Sequence, residues 1–204
     1  MKRLHVCLLA VLVALASIFP ANAQEKGSLR LNYGVGGLSF TDYIGLLLIG
    51  LGSIDTSEGV TQHSFTPLTN PYVGLEYHLN PRVSLGGTLA FGGGAAWTKH
   101  QEDASLSKTA TCIYPTLLLS ASTQYFRNEN FAMYGNWGMG ASLYCFTQSD
   151  KNSSTNNSGL AVIPNANIYP LCFSFGKQAG FNVELGWGAK GLLCVGGYWT
   201  FPGK

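Results

Sequence analysis

Between residues 28 and 201, apolar and polar residues alternate almost one for one through stretch after stretch of the chain. A period of two sends successive side chains to opposite faces of an extended backbone, so it predicts β-strands. With Gly, Pro, Asn and Asp as punctuation, the pattern gives strands at about 28–37, 71–79, 82–92, 110–126, 131–146, 165–176, 181–188 and 191–201. In the first, Leu29, Leu31, Tyr33 and Val35 alternate with Arg30, Asn32 and Gly34. In the second, Val73, Leu75 and Tyr77 oppose Gly74, Glu76 and His78, and in the third Val83, Leu85, Leu89 and Phe91 oppose Ser84, Gly86 and Thr88. The fifth sets Met133, Trp137, Met139 and Leu143 against Asn136, Gly138 and Ser142. The seventh sets Phe181, Val183, Leu185 and Trp187 against Asn182, Glu184 and Gly186, and the last sets Leu193, Val195, Trp199 and Phe201 against Cys194, Gly196 and Thr200.

The connections fall into two kinds. Those at 78–82, 127–130 and 176–180 are tight and polar, whereas those at 38–70, 93–109 and 147–164 are long and rich in Ser, Thr, Asn and charge. Short turns at one end and long polar loops at the other are the habit of outer-membrane barrels, whose turns face the periplasm and whose loops face outward. The connection at Ala189 and Lys190 is short and departs from that pattern.

Alternation alone leaves open which face is inside, because a soluble sandwich or a lipocalin-like barrel would turn its apolar set inward. The polar set decides. It is mostly Gly, Ser, Ala, Thr and Asn, with Arg30, Glu76 and Glu184 as its mid-strand charges, in a chain only 11% charged with 26 glycines. Small polar residues suit a confined lumen and bulky apolar ones suit lipid. Tyr77, Tyr125, Phe131, Phe175, Phe181, Trp199 and Phe201 all lie beside the expected periplasmic turns or terminus, as an interfacial girdle would, and Trp187 and Phe91 begin a second belt. The expected fold is therefore all-β: a closed antiparallel transmembrane barrel of about eight strands in up-and-down order.

The first residues carry Lys2 and Arg3, an apolar run at 6–19, and small residues at Ala21 and Ala23. This reads as a secretory signal peptide over 1–23, cleaved before Gln24, with 24–204 forming one barrel domain. Cys7 opens the apolar run instead of ending it, which argues against a lipoprotein anchor. The whole chain has 12 basic and 10 acidic residues; losing Lys2 and Arg3 leaves ten against ten. Formal neutrality removes the electrostatic basis for nucleic-acid binding. No mature segment approaches the roughly 20 apolar residues of a membrane helix, the nearest being 43–51.

At the C-terminus, Gly196-Gly197-Tyr198-Trp199-Thr200-Phe201 resembles the terminal strand of outer-membrane barrels, followed here by Pro202-Gly203-Lys204. Taken with 77–86 and Glu184-Leu185-Gly186-Trp187-Gly188, it makes the mature chain look like the small OmpX/OmpA-type barrel family. The resemblance implies an eight-stranded outer-membrane barrel with periplasmic termini and variable outer loops. It also implies outer-membrane lipid as surroundings, and recognition by the barrel assembly machinery through Gly196, Trp199 and Phe201. It implies no reaction.

Chemistry is sparse. Some small barrels modify lipid A with a serine and a histidine, but the mature histidines are His63, His78 and His100 only. His63 and Ser64 are consecutive and would point oppositely in an extended segment, which leaves His100, Asp103 and Ser105 as a loop trio of ordinary polar composition. No catalytic residue, cofactor or metal site is expected, since Cys112, Cys145, Cys172 and Cys194 lack metal-binding spacing. Cys112 and Cys145 flank one turn, but their parity sends them to opposite faces, so four reduced thiols packed in strands are expected. The Asn152 and Asn156 sequons read as loop exposure. The apolar 43–51 stretch could be a short helix capping the mouth, a strand extension or an interfacial segment. Arg30, Glu76 and Glu184 are inward by parity and are expected to form an internal cluster near the periplasmic end, the guanidinium forking to both carboxylates. The function expected is structural or interactive, through envelope integrity or loop-mediated binding of an extracellular partner. A narrow channel and a lipid A-modifying enzyme are the alternatives.

Overall fold

The computed structural model describes residues 26–37, 39, 42, 60–67, 69–100, 107–150 and 157–203. Its strands are β1 (Leu29–Gly37), β2 (Val60–Pro67), β3 (Asn70–Asn80), β4 (Val83–His100), β5 (Ser107–Arg127), β6 (Phe131–Asp150), β7 (Asn157–Gly176), β8 (Ala179–Trp187) and β9 (Leu193–Phe201). Every ladder is antiparallel. The sheet order β2-β4-β3-β1-β9-β8-β7-β6-β5 closes through a further ladder between β4 and β5. β3 pairs with the first part of β4 and β2 with its last part, from Pro67↔Gly94 to Val60↔His100, so the two form one interrupted stave. The result is a closed eight-stave, up-and-down, all-β barrel.

The expected parity holds. Leu117, Leu119 and Met139 face outward at 62%, 71% and 73% exposure, while Arg30, Glu76, Asn136, Ser142 and Glu184 are buried inside. Cys112 is buried and Cys145 exposed, as parity demands, and Cys112, Cys145, Cys172 and Cys194 are free thiols. A water-soluble sandwich would place these apolar residues in its core, so this distribution is that of a barrel turned inside out. Among the described residues, no helix is long and apolar enough to cross a membrane.

Three findings differ from the sequence reading. First, much of 60–67, 93–109 and 147–164 is strand, not loop: β4 runs to His100, β5 starts at Ser107, β6 runs to Asp150 and β7 starts at Asn157. Ladder hydrogen bonds need only backbone, so a strand can become polar on both faces and still be a strand. Second, the inward face is more aromatic than expected, with Tyr72, Tyr114, Tyr134, Tyr144, Tyr169 and Tyr198 buried in the lumen along with Leu118. Third, β7 carries an irregularity between Ile168 and Leu171 that reverses its parity, so Leu160, Val162 and Ile168 face out below it in number, and Leu171 and Phe175 above.

Two turns are closed by the same device. The Asn80 side chain accepts from the backbone N–H groups of Arg82 and Val83 at 2.8 and 2.9 Å, and Asn128 accepts from those of Asn130 and Phe131 at 3.0 and 2.8 Å. An asparagine that replaces backbone acceptors in this way favours a tight reversal. The expected girdle is outward here: Tyr77, Tyr125, Phe175, Phe181 and Phe201 are exposed, with Phe175 and Phe181 stacked at 4.7 Å between centroids.

Candidate functional site: the charged lumen

Arg30 and Glu76 are Cα partners across β1 and β3, and Thr200 of β9 stands on the other side of Arg30 in the same row. Both charged side chains are buried. Glu184 lies on another row, which runs through Cys194 of β9 to Gly36 of β1, several residues farther along β1 than Arg30. This offset corrects the expected fork. Arg30 makes no ion pair with either carboxylate; its Nε–H donates to Asn32 Oδ1 at 2.8 Å. Its guanidinium lies 3.9 Å from the Tyr198 ring centroid and 5.4 Å from that of Tyr134. The negative faces of two rings thus hold the cation.

Each carboxylate has its own partners. Glu76 accepts from the Ser84 hydroxyl at 3.3 Å and from Asn136 Nδ2 at 3.4 Å. Glu184 accepts from the Tyr134 hydroxyl and from Asn182 Nδ2, each at 3.4 Å, and pairs with Lys190. Lys190 is the charge that sequence reasoning missed. Its place in a short connection suggests an outer position, yet it is buried, with its ammonium 4.9 and 4.5 Å from the ring centroids of Tyr72 and Tyr169. The only hint in the sequence was the unusual shortness of that connection. Gly191 takes the left-handed conformation at φ +129°, and a Cβ on Gly36 would meet the Lys190 carbonyl oxygen, so glycine at both places lets the turn dip into the barrel. Tyr169 donates to the Gly191 carbonyl at 2.7 Å and fixes the dip from below.

Above this level Ser39 and Asp42, which follow β1, are also buried. Asp42 Oδ2 accepts from the Ser39 N–H at 2.7 Å while Ser39 Oγ accepts from the Asp42 N–H at 3.0 Å, a reciprocal pair of the capping-box type, with Asp42 itself helical. Asn70 Nδ2 reaches both Asp42 Oδ2 at 3.4 Å and the Ala189 carbonyl at 3.3 Å. Burial pushes the Asp42 carboxyl above its usual range, against the lowering effect of these hydrogen bonds. At the same height the tilted rings of Tyr114 and Tyr144 meet at 5.0 Å between centroids, packed with Cys112 and partly buried Ala161 and Ile163. Two constrictions of aromatic and polar side chains therefore cross the lumen.

The remaining residues singled out in the sequence fall elsewhere. Gly196, Trp199 and Phe201 lie on β9 opposite Gly34, Leu31 and Leu29 of β1, on the seam that closes the barrel. His78 is buried at the turn end, while His63 and His100 lie on β2 and β4. Asp103, Ser105, Asn152, Asn156, the 43–51 stretch and the 1–23 leader lie outside the described residues. Among the described residues, no three His, Cys, Asp or Glu side chains are grouped to hold a metal.

No family model matches the chain, and no curated protein matches it. Among solved structures it is similar to the N-terminal β-barrel domain of Pseudomonas aeruginosa OprF, with a TM-score of 0.41 and 13% identity over 87% of this chain and 100% of that domain.

Proposed function

We propose that this chain is an exported, non-catalytic outer-membrane protein with termini in the periplasm, and that its barrel presents a strand edge to an extracellular partner. The outward apolar surface supports the membrane setting, and the leader read in the sequence supports export. The observation that carries the interaction role is the unequal height of the wall. β5, β6 and β7 have 21, 20 and 20 residues, whereas β1, β8 and β9 have 9 each. A spanning strand needs about 9–11 residues. At about 3.4 Å per residue and a tilt near 40°, a strand of this greater length rises roughly 50 Å, about twice the apolar band of an outer membrane.

On this tall side, β7 pairs with β6 along nearly its whole length, from Gln148↔Asn157 to Phe131↔Phe175, but meets β8 only from Ile168 downward. Among the described residues, the backbone of 158–167 has no strand on its other side. An open edge of this kind accepts an extended peptide by adding it as a further strand. Pro164 interrupts the run of donors, which limits pairing to short segments. Leu160 and Val162, both 68% exposed, give outward anchors for alternate side chains of the incoming strand.

Membrane fractionation tests the location: the protein should sediment with the outer membrane and resist carbonate extraction, and its recovery as a soluble periplasmic protein would refute the reading. Photo-crosslinkers at residues 160 and 162 should capture an extracellular protein, whereas crosslinkers at Leu29 and Leu193 should capture lipid. Planar-bilayer recording should show no steady conductance, as the two constrictions suggest.

A further inference from the structure

At the turn end of the lumen, a small pocket open to that side is lined by Arg30, Glu76, His78, Arg82, Ser122 and Gln124, among others. Three of these side chains bring a buried nitrogen without a hydrogen-bond partner: Arg30 Nη2, His78 Nδ1 and Gln124 Nε2. Arg30 and His78 are 3% and 6% exposed, so neither group is served by bulk water. A guanidinium and an amide N–H only donate, and a neutral imidazole can place its proton on Nδ1. The set therefore asks for an acceptor.

The charges around the pocket give the acceptor its sign. Glu184 is engaged by Lys190, and both oxygens of Glu76 already accept, from Ser84 and Asn136. Arg30 faces the pocket from within and exposed Arg82 stands at its rim, so the lining carries two cations against the one carboxylate of Glu76. The pocket has about 20 Å³ of room behind its open mouth, so the geometry points to a binding site for the edge of a small oxyanion from solution, an oxygen of a carboxylate or phosphate group, entering from the end where β1 begins and β9 ends with the rest of the ion in the mouth. Arg30 Nη2 and Gln124 Nε2 donate to its oxygens, the Nδ1–H tautomer of His78 adds a third bond, and Arg82 draws the ion to the mouth. Glu76 opposes the ion and keeps binding weak. That end faces the periplasm under the function proposed above, but the site itself does not depend on the orientation.

The test uses the full mature barrel, folded in an uncharged detergent and labelled with nitrogen-15. Sodium phosphate and sodium acetate are titrated separately against sodium chloride at equal ionic strength. The expected result is a saturable shift of the Arg30 Nε–H and of the Gln124 side-chain amide with phosphate or acetate and not with chloride. Gln124→Leu and Arg82→Gln, which touch neither ion-paired group, should each weaken binding at least about threefold, and Glu76→Gln should strengthen it about tenfold, the worth of about one removed repulsive contact. Ordered water as the only occupant predicts no saturable shift, and non-specific salt effects predict equal responses in wild type, Gln124→Leu and Arg82→Gln. Either result overturns the site. If Glu76→Gln leaves the affinity unchanged, the oxyanion does not sit beside Glu76 and the assignment also fails.

Discussion

Lys190 lies in the turn between β8 and β9 and bends back into the lumen to pair with Glu184 of β8, both almost wholly buried. Removing one member of such a pair strands a charge in a low-dielectric interior, at a typical cost of about 3–5 kcal/mol. Lys190→Met should therefore destabilise the barrel by an amount in that range in reversible urea unfolding in lipid vesicles. Adding Glu184→Gln should restore most of the loss. Equal destabilisation by the single and double variants would show that the pair contributes nothing as a pair.

Arg30 and Glu76 offer the contrasting case. They face each other across β1 and β3, yet Arg30 is held by Asn32 and the Tyr198 ring. A double-mutant cycle on Arg30→Met and Glu76→Gln should give a smaller coupling than the Lys190 and Glu184 cycle. Arg30→Met with Tyr198→Leu should give about 1–2 kcal/mol, the range of a desolvated cation over a ring. A larger coupling to Glu76 than to Tyr198 would restore the forked arrangement that the structure replaces.

The two faces of one strand should respond differently to charge. Leu85 is 48% exposed on the outer face of β4, and Leu85→Arg should cost about 2–4 kcal/mol near mid-membrane. The neighbouring Gly86 faces the lumen, where a Cβ would run into the Leu75 carbonyl oxygen. Gly86→Ala should therefore destabilise through steric conflict alone. Unfolding in vesicles of different acyl length should change the Leu85→Arg penalty and leave the Gly86→Ala penalty constant.

Asp42 gives the barrel mouth a pH dependence. Burial raises its carboxyl pKa in the folded chain above the unfolded value, so folding favours the protonated form. The contribution is fully present below the unfolded pKa and is lost as pH rises through the raised folded pKa. Hydrogen exchange of the Ser39 amide, corrected for intrinsic base catalysis, should show protection falling across that window in the wild type. Asp42→Asn should flatten the dependence, since the amide oxygen can still accept from Ser39.

The outline of the barrel was legible because the apolar outer face and the polar lumen impose opposite demands on alternate residues. Leu85 and Gly86, or Leu185 and Glu184, could hardly exchange faces. Legibility ended where that contrast ended. Thr109, Thr147 and Ser149 lie on paired strands, but their polarity makes 93–109 and 147–164 look like loops. In β7, the irregularity around Pro170 breaks the period of two, so no single parity described that strand. The internal network was half visible: Arg30, Glu76 and Glu184 are mid-strand charges on the small-residue face, whereas Lys190 sits in a turn, and only the three-dimensional course of Ala189–Gly191 reveals that it points inward. Tyrosine was ambiguous for another reason. Its ring suits the interfacial girdle at Tyr77 and Tyr125 and its hydroxyl suits the polar lumen at Tyr134 and Tyr169.

The seam between β1 and β9 joins the first strand to the last, so it forms only when the whole chain is present. Arg30 comes from one side of that seam and the Tyr198 ring beneath it from the other, at 3.9 Å. While the seam is open, the guanidinium lacks the nearer of its two rings and the inner face of the sheet is not sealed from the surroundings. An unclosed sheet in the bilayer would thus carry bare charges toward hydrocarbon, a steep penalty that disappears in a single step when the ends meet. The polar interior therefore makes partial insertion costly and completion abrupt, giving the first and last strands a shared incentive to find each other before the protein settles into lipid.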